Sequence, residues 1–354
     1  MYNHGASLQA YALQTYLESL GHDVRIIDYK PDYLSGHYSL WSVDNPIYNK
    51  PIIKQLYLLA KLPKRLIALK RKKKFDEFSH KFFKLTQRYN NYEELKKNPP
   101  QADVYIAGSD QIWNTLFQNG RDAAFYLDFV PKTSKRFAYA ASFATKDVTE
   151  ECRSFVIKML QNFDAISIRE SISLPLLESL GRNDGIAVCD PVFLLSREQW
   201  NSIISSNRIH EKFLLVYDTE GSEKIKIIAK KLAKAKNLKI YNVSASKLSY
   251  TDKDLWASGP LDFIQLIRDS QFVISNSFHA SAFSMIFERD FCVVNRSEGI
   301  NERMNSLLSD FGLSERLVNN YSDELMSSIN YHDINKKIEI IISNSKKYLN
   351  NSLI

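Results

Sequence analysis

Along this chain, short runs of consecutive apolar residues alternate with stretches in which apolar residues recur every three or four positions. In residues 7–20, Leu8, Leu13, Leu17 and Leu20 fall on one side of a predicted helix. Ser7 stands where an N-cap belongs, and Gly21 supplies the stop. VRIIDY (residues 24–29) then reads as a strand, and so do DVYIAGS (103–109), RFAYAAS (136–142), DAISIRE (164–170) and IAVCDP (186–191). Near-continuous apolar strands separated by helices predict a parallel α/β sheet covered on both faces.

A second series of the same kind begins at FLLVYDT (213–219). It continues through a helix at 223–236, the strand LKIYNVS, a helix at 260–268, the strand FVISNS (272–277), a helix at 279–287 and the strand FCVVN (291–295). The break falls around residues 196–210. The pattern therefore predicts two doubly wound domains, 1–195 and 196–354, with a ligand cleft between the carboxyl ends of their strands. Residues 38–100 read as a basic, mostly helical insertion in the first domain.

Charge adds one feature. The net charge is +7, and much of the excess sits in KQLYLLAKLPKRLIALKRKKKFDEF, residues 54–78. This run reads either as a solvated helix face or as a surface for anionic lipid headgroups or an anionic acceptor. It lacks a nucleic-acid reader motif, so nucleic acid is not an expected partner. No run of eighteen apolar residues predicts a membrane span, and no signal peptide is visible. Cys152, Cys189 and Cys292 are far apart and follow no metal-ligand spacing. They read as buried thiols of a reducing compartment, with no metal expected.

The candidate chemistry lies in four polar loops. NHGAS (3–7) opens the first helix. In GSDQIWN (108–114), Gly108 is expected to allow a sharp turn. Ser109, Asp110, Gln111 and Asn114 suit sugar hydroxyls there, with Trp113 stacked on a ring. Equally, Ser109 or Asp110 caps a helix and Trp113 fills the core. In SIRE (167–170), Arg169 follows a buried strand. It must either pair with a carboxylate such as Glu170 or Asp190, or face a cleft, where its fork suits a carboxylate or phosphate. In SNSFHASAF (275–283), Asn276 and Ser277 turn the chain and His279 sits in the first turn of a helix. That is either a structural histidine or an anion site with a general acid or base. No Walker loop, GxGxxG, HExxH or GxSxG motif is present, which argues against P-loop, dinucleotide, zinc-protease and serine-hydrolase chemistry.

Taken in order, NHGASLQAYALQTYL, LGHDVRIIDYKP, GSDQIWN, FYLDFVP, KRFAYAASF, SIRE, DPVFLL, GPLDFIQLI and SNSFHASAFSMIF resemble the polysaccharide pyruvyl transferase family over residues 3–313. The resemblance implies two Rossmann-like domains in a GT-B-like arrangement. It also implies transfer of the pyruvyl group of phosphoenolpyruvate to a sugar of a surface or exopolysaccharide precursor, giving a pyruvate ketal and phosphate. Phosphoenolpyruvate is then the donor substrate, and no further cofactor is expected. The resemblance gives His279 the role of acid or phosphate contact, Arg169 that of donor holder, and Asp110 that of base or acceptor orienter. Asn3, Gly5, Ser7, Ser109, Gln111, Asn114, Asn276 and Ser277 are the expected substrate-binding loop residues. Many family members carry an arginine where this chain has Ser277, and Arg303 or a lysine such as Lys135 is expected to replace that cation.

The acceptor implied is a sugar or lipid-linked oligosaccharide, handled in the cytoplasm, with the basic run touching the inner leaflet of the membrane. Family members also place a strand before residues 3–7. The expectation is that an upstream start supplies it with roughly ten further residues. Two other functions fit the same pattern: a GT-B glycosyltransferase using a nucleotide sugar, and an inactive scaffold subunit of polysaccharide assembly.

Overall fold

The computed structural model describes residues 2–35, 50–297 and 300–353. The first half of the chain runs α1 (His4–Ser19), β1 (Ile26–Tyr29), α2 (Asp32–Ser35), α3 (Pro51–Phe82), β2 (Leu85–Tyr89) and α4 (Tyr92–Lys97). It continues with β3 (Val104–Ala107), β4 (Lys135–Ala141), α5 (Glu150–Leu160), β5 (Ala165–Ile168), α6 (Leu174–Ser179) and β6 (Ile186–Ala187). The helix α7 (Arg197–Ile203) leads to β7 (Phe213–Tyr217), α8 (Glu223–Lys236), β8 (Lys239–Asn242), β9 (Lys253–Asp254) and α9 (Pro260–Asp269). Last come β10 (Phe272–Ser275), α10 (Phe278–Ile286), β11 (Asp290–Val293), α11 (Glu302–Phe311) and α12 (Tyr331–Leu353).

The fold is α/β with parallel sheets. A four-stranded sheet has the order β3-β4-β5-β6, a five-stranded sheet the order β11-β10-β7-β8-β9, and β1 pairs with β2. Every strand pair among the described residues is parallel. The apolar runs read as strands are strands. Their continuity follows from burial on both faces: β7 is buried at all five positions.

One local expectation needs correction, and two are made more specific. Asn3, not Ser7, caps α1: its side chain accepts the Ala6 N–H at 3.2 Å. Ser7 is buried inside the helix, one turn on. Asparagine caps as well as serine, so the helix starts as early as a cap allows. Gly21 ends it with φ of 93°. Second, β2 (LTQRY) lies in the stretch expected to be mostly helical. Its central residues are polar and partly exposed, so no apolar run marks it. Residues 38–49 of that stretch lie outside the described residues. Third, Trp113 fills the core: it is fully buried, stacks on Tyr126 and donates Nε1–H to the Phe125 carbonyl.

Helix α1 is the hub of the packing. It touches the 3-10 turn Pro191–Leu194, α3, α9 and α10. One apolar cluster runs through Leu8, Leu13 and Leu17 of α1, Trp200 of α7, Phe263 of α9 and Phe283 of α10. Separate clusters cover the remaining faces of the two larger sheets. Helix α12 crosses back to the four-stranded sheet. Tyr348 Oη–H donates to the Ala138 carbonyl, and Ser345 Oγ accepts the Cys189 N–H, each at 2.9 Å. The three cysteines are buried and unpaired. Among the described residues no helix is long and apolar enough to cross a membrane.

Candidate active site

The carboxyl ends of strands from both larger sheets meet at one buried cluster. From the four-stranded sheet come Ser109 after β3, Ser142 after β4, Arg169 and Glu170 after β5, and Asp190 after β6. From the five-stranded sheet come Tyr217 at the end of β7, and Phe278 and His279 opening α10 after β10. Strand ends collect polar groups because their loops leave the apolar layer together.

Arg169 is the centre of the cluster. Its Nε donates to Glu170 Oε1 at 2.9 Å and its Nη1 to Asp190 Oδ2 at 3.0 Å, with all three side chains at most 1% exposed. The guanidinium lies over the Phe278 ring, 4.0 Å from its centroid. Burial alone would lower the Arg169 pKa, but Glu170, Asp190 and Asp110 outweigh it and raise the value. Ser109 Oγ–H donates to Asp190 Oδ2 and Ser142 Oγ–H to Glu170 Oε1, each at 2.8 Å. The ion-pair reading of Arg169 is therefore what the side chain does here. Its Nη2 and Glu170 Oε2 remain buried without partners.

His279 closes the cluster from the other sheet. Its Nε2 lies 3.4 Å from Asp190 Oδ2, without an aligned hydrogen bond. Burial would raise the Asp190 carboxyl, but His279 and Arg169 hold it well below the usual carboxylate range. The other side of the imidazole lies against Gly5, where any Cβ would overlap the ring. The loop at residues 3–7 thus borders His279, and only glycine leaves room for it.

Asp110 carries the unusual backbone of the GSDQIWN loop, with φ of 77°. Gly108, expected to make that turn, has neither positive φ nor a crowded Cβ position. Asp110 Oδ1 accepts the Gln111 N–H, and the carboxylate acts on the charges of Arg169 and Arg303. Gln111 and Asn114 bond each other, and Asn114 is fully buried. Asn276 ties two loops together, donating to Asp218 Oδ1 and accepting from the Thr219 N–H and hydroxyl. Ser277 caps α10 without a side-chain hydrogen bond. Asn114 and Asn276 thus tie loops together, Gln111 accepts from Asn114, and Ser109 joins the Arg169–Asp190 network.

Arg303 enters from α11. Ser306, one turn further along that helix, has its Oγ 3.2 Å from Ser171 Oγ, two residues after Arg169, so Arg303 sits over the same cluster. It is 6% exposed, and its Nε has no partner. Burial, followed by the nearby Arg169, pushes its pKa down to about 10. Lys135 is exposed at the amino end of β4, so it lies away from the strand ends that build the cluster.

Asp190 and Glu170 were expected only as partners for Arg169. Asp190 follows an apolar run just as Arg169 does, and that signal was available. A D-x-D spacing, Asp252 to Asp254, is spent on the sheet: Asp252 accepts the Ile240 N–H and Asp254 the Asn242 amide. An open hollow of about 520 Å³ lies beside α11, lined by Ser171, Ser306, Ser309 and Asp310 among others.

Among solved structures, an uncharacterized protein of Klebsiella pneumoniae is 13% identical, covering 86% of this chain and 96% of its own, with a TM-score of 0.44. The UDP-GlcNAc 2-epimerase of Methanocaldococcus jannaschii is 12% identical, covering 95% of this chain and 89% of its own, with a TM-score of 0.44. No curated protein sequence matches the chain. The family model described as polysaccharide pyruvyl transferase matches residues 3–298, most of the chain and every strand-end loop of the cluster, so the chain belongs to the polysaccharide pyruvyl transferase family.

Proposed function

We propose that the protein transfers the pyruvyl group of phosphoenolpyruvate to two hydroxyls of a sugar in a surface or exopolysaccharide precursor. The two domains, 1–195 and 196–354, would supply opposite walls of the site in a GT-B-like arrangement. A proton adds to the methylene carbon of the donor, and a sugar hydroxyl attacks the carbon bearing the phosphate. Phosphate leaves, and the second hydroxyl closes the ketal. Of the two hydroxyl protons, one replaces the proton delivered to carbon and the other leaves on the phosphate.

The observation that carries this reading is the combination at the strand ends. His279, with Nε2 3.4 Å from the buried Asp190 carboxylate, shares the cluster with a buried arginine, Arg303, that forms no ion pair among the described residues. A buried guanidinium without a direct ion pair is costly, and an anion that pairs with it lowers that cost. His279 serves as the acid or as a phosphate contact, Asp110 as the base or acceptor orienter, and Arg169 holds Asp190 and Glu170 in register while facing the donor. The test is phosphate release from phosphoenolpyruvate against a panel of galactose- and mannose-type acceptors. Release that requires an acceptor, and that is lost in His279→Gln, is expected. Absence of release with every acceptor, together with thermal stabilisation by nucleotide sugars, would point to glycosyl transfer instead.

The acceptor in this reading is lipid-linked and met at the inner face of the membrane. The first half of α3 supports this. Ile52, Leu56, Leu59 and Leu66 are 75%, 63%, 66% and 49% exposed, and their spacing puts them on one side of the helix. Lys54, Lys61 and Arg65 fall on the opposite side. An apolar stripe with a basic back suits an anionic lipid surface.

A further inference from the structure

Among the described residues, six arginines are less than a tenth exposed: Arg71, Arg169, Arg182, Arg268, Arg303 and Arg316. Four of them have a carboxylate within 4 Å: Arg169 has Glu170 and Asp190, Arg182 has Asp184, Arg268 has Asp269, and Arg316 has Glu315. Arg71 and Arg303 have none among the described residues. Buried cations without counter-ions are too costly to be packing devices, so these two ask for a ligand.

Arg71 comes from α3, the helix whose sequence reads as a solvated basic run. It is 5% exposed. Its Nη1 donates to the Trp256 carbonyl at 3.0 Å and its Nη2 meets His4 Nε2 at 3.1 Å, while its Nε is buried without a partner. Arginine only donates, so His4 Nε2 is the acceptor and His4 is neutral. Burial and the charge of Arg71 hold the His4 pKa well below its usual value, so His4 cannot neutralise its neighbour. The His4 ring stacks on Phe263, 4.7 Å between centroids, and stands edge-on to Tyr217 at 5.8 Å. Tyr217 is buried at the end of β7, and its hydroxyl makes no hydrogen bond among the described residues. Its phenol feels the charges of both Arg71 and Arg303. His4 is followed directly by Gly5, which touches His279. Tyr217 therefore links Arg71 to Arg303, and His4 with Gly5 links Arg71 to the acid.

We propose that Arg71 and Arg303, with the hydroxyl of Tyr217, form the subsite for the phosphate of the donor, and that helix α3 thereby contributes a side chain to the active site. This rests on the pyruvyl-transfer reading for the identity of the donor. It replaces the cation that many family members carry at the place of Ser277 by one delivered from α3. A phosphate dianion fits because the site offers two guanidinium groups, each with an unpartnered Nε–H and no carboxylate within 4 Å among the described residues, and a hydroxyl donor.

The test is calorimetric titration of the full chain with inorganic phosphate, followed by displacement with phosphoenolpyruvate. Phosphate should bind the wild type, and phosphoenolpyruvate should displace it. Arg71→Met and Arg303→Met should each weaken phosphate binding by about tenfold or more, the loss of a charged hydrogen bond. Tyr217→Phe removes only an unbonded hydroxyl, so it folds and should weaken binding several-fold. Melting temperatures without ligand separate this role from a structural one. Removing a buried charge that lacks an ion pair should leave the melting temperature unchanged or higher, and a given phosphate concentration should then raise it more in the wild type than in any variant. Phosphate that fails to bind, that binds all three variants as tightly, or that phosphoenolpyruvate does not displace overturns the subsite, even with turnover intact. Variant-sensitive phosphate binding in an enzyme that never turns over phosphoenolpyruvate keeps the subsite and removes the pyruvyl-transfer reading.

Discussion

Gly5 lies directly against the imidazole of His279, with no room for a Cβ between them. Residues in the first turns of α1 and α10 thus meet across 274 positions of sequence, 279 less 5. Gly5→Ala tests that contact cleanly. Gly5 has no positive φ, and alanine favours a helix over glycine by about 1 kcal/mol. The helix backbone alone would therefore gain from the change. Here the methyl must displace His279, so turnover should fall by roughly a hundredfold, the usual cost of a displaced acid or base, while the chain stays folded. Steady-state kinetics with circular dichroism as the folding control decides it, and unchanged turnover would contradict the placement of His279.

Arg169→Ala should cost stability as well as activity. The arginine is the shared partner of two buried carboxylates, and removing it leaves both uncompensated. Breaking such a network typically costs about 3–5 kcal/mol. Lost activity in that variant alone therefore says little about donor contact. Denaturant melts should show the destabilisation, and Arg169→Lys should recover only part of it, because one ammonium cannot reproduce the fork that meets Glu170 and Asp190. A stable but inactive Arg169→Ala protein would show that the network is less important than the ligand.

Asp190 should make the fold acid-sensitive. Its carboxyl is held well below the ordinary value of 3.8 by His279 and Arg169, despite burial. A depressed folded pKa contributes stability that is fully present above the unfolded value. That contribution is lost as pH falls from about 4 toward the folded value. Asp190→Asn should remove this dependence and destabilise the protein at neutral pH by roughly 3 kcal/mol, because it strips Arg169 of one partner. Chemical denaturation at a series of pH values from 7 downward measures both, and parallel curves for the two proteins would exclude Asp190 as the sensitive group.

Asp110 combines a charge with a left-handed backbone, at φ of 77°. Asparagine tolerates that region, whereas alanine there costs about 1 kcal/mol or more. Asp110→Asn should thus keep stability and lose turnover by one to two orders of magnitude, typical for a general base. Asp110→Ala should lose both. Equal turnover in wild type and Asp110→Asn would reduce the residue to a turn former.

These contrasts show which parts of the site the sequence could reveal. His279, Arg169 and Asp110 were legible because each follows an apolar run, and a polar residue leaving a buried strand has few places to go. The parallel strands were legible for the same reason, being buried on both faces. Strand β2 was not, because only its ends are apolar. Ser109, Gln111, Asn114 and Asn276 look identical in sequence whether they bind a sugar or hold a loop; in the fold Asn114 and Asn276 bridge loop residues, and Ser109 bonds Asp190 of the cluster. Arg71 was the least legible. Inside KRKKK nothing local separates it from its neighbours, and only the packing of α3 against α1 and α9 selects the one that is buried.

The same helix gives the last prediction. Arg71, Phe75 and Phe78 in its second half are buried, while Ile52, Leu56, Leu59 and Leu66 in its first half are exposed. One helix therefore joins the candidate phosphate subsite to an apolar stripe on the surface. If that stripe meets a membrane, sedimentation with vesicles containing anionic lipid should retain the protein, and neutral vesicles should not. Ile52→Ser, Leu56→Ser and Leu59→Ser together remove the apolar contact. Lys54→Glu with Lys61→Glu removes electrostatic attraction worth about 1 kcal/mol per basic residue near the surface. Both variants should lose vesicle binding by tenfold or more, and their turnover on a soluble acceptor should stay at the wild-type level, since none of these residues borders the cluster. Retention of both on anionic vesicles at wild-type levels would rule out this face as the docking surface.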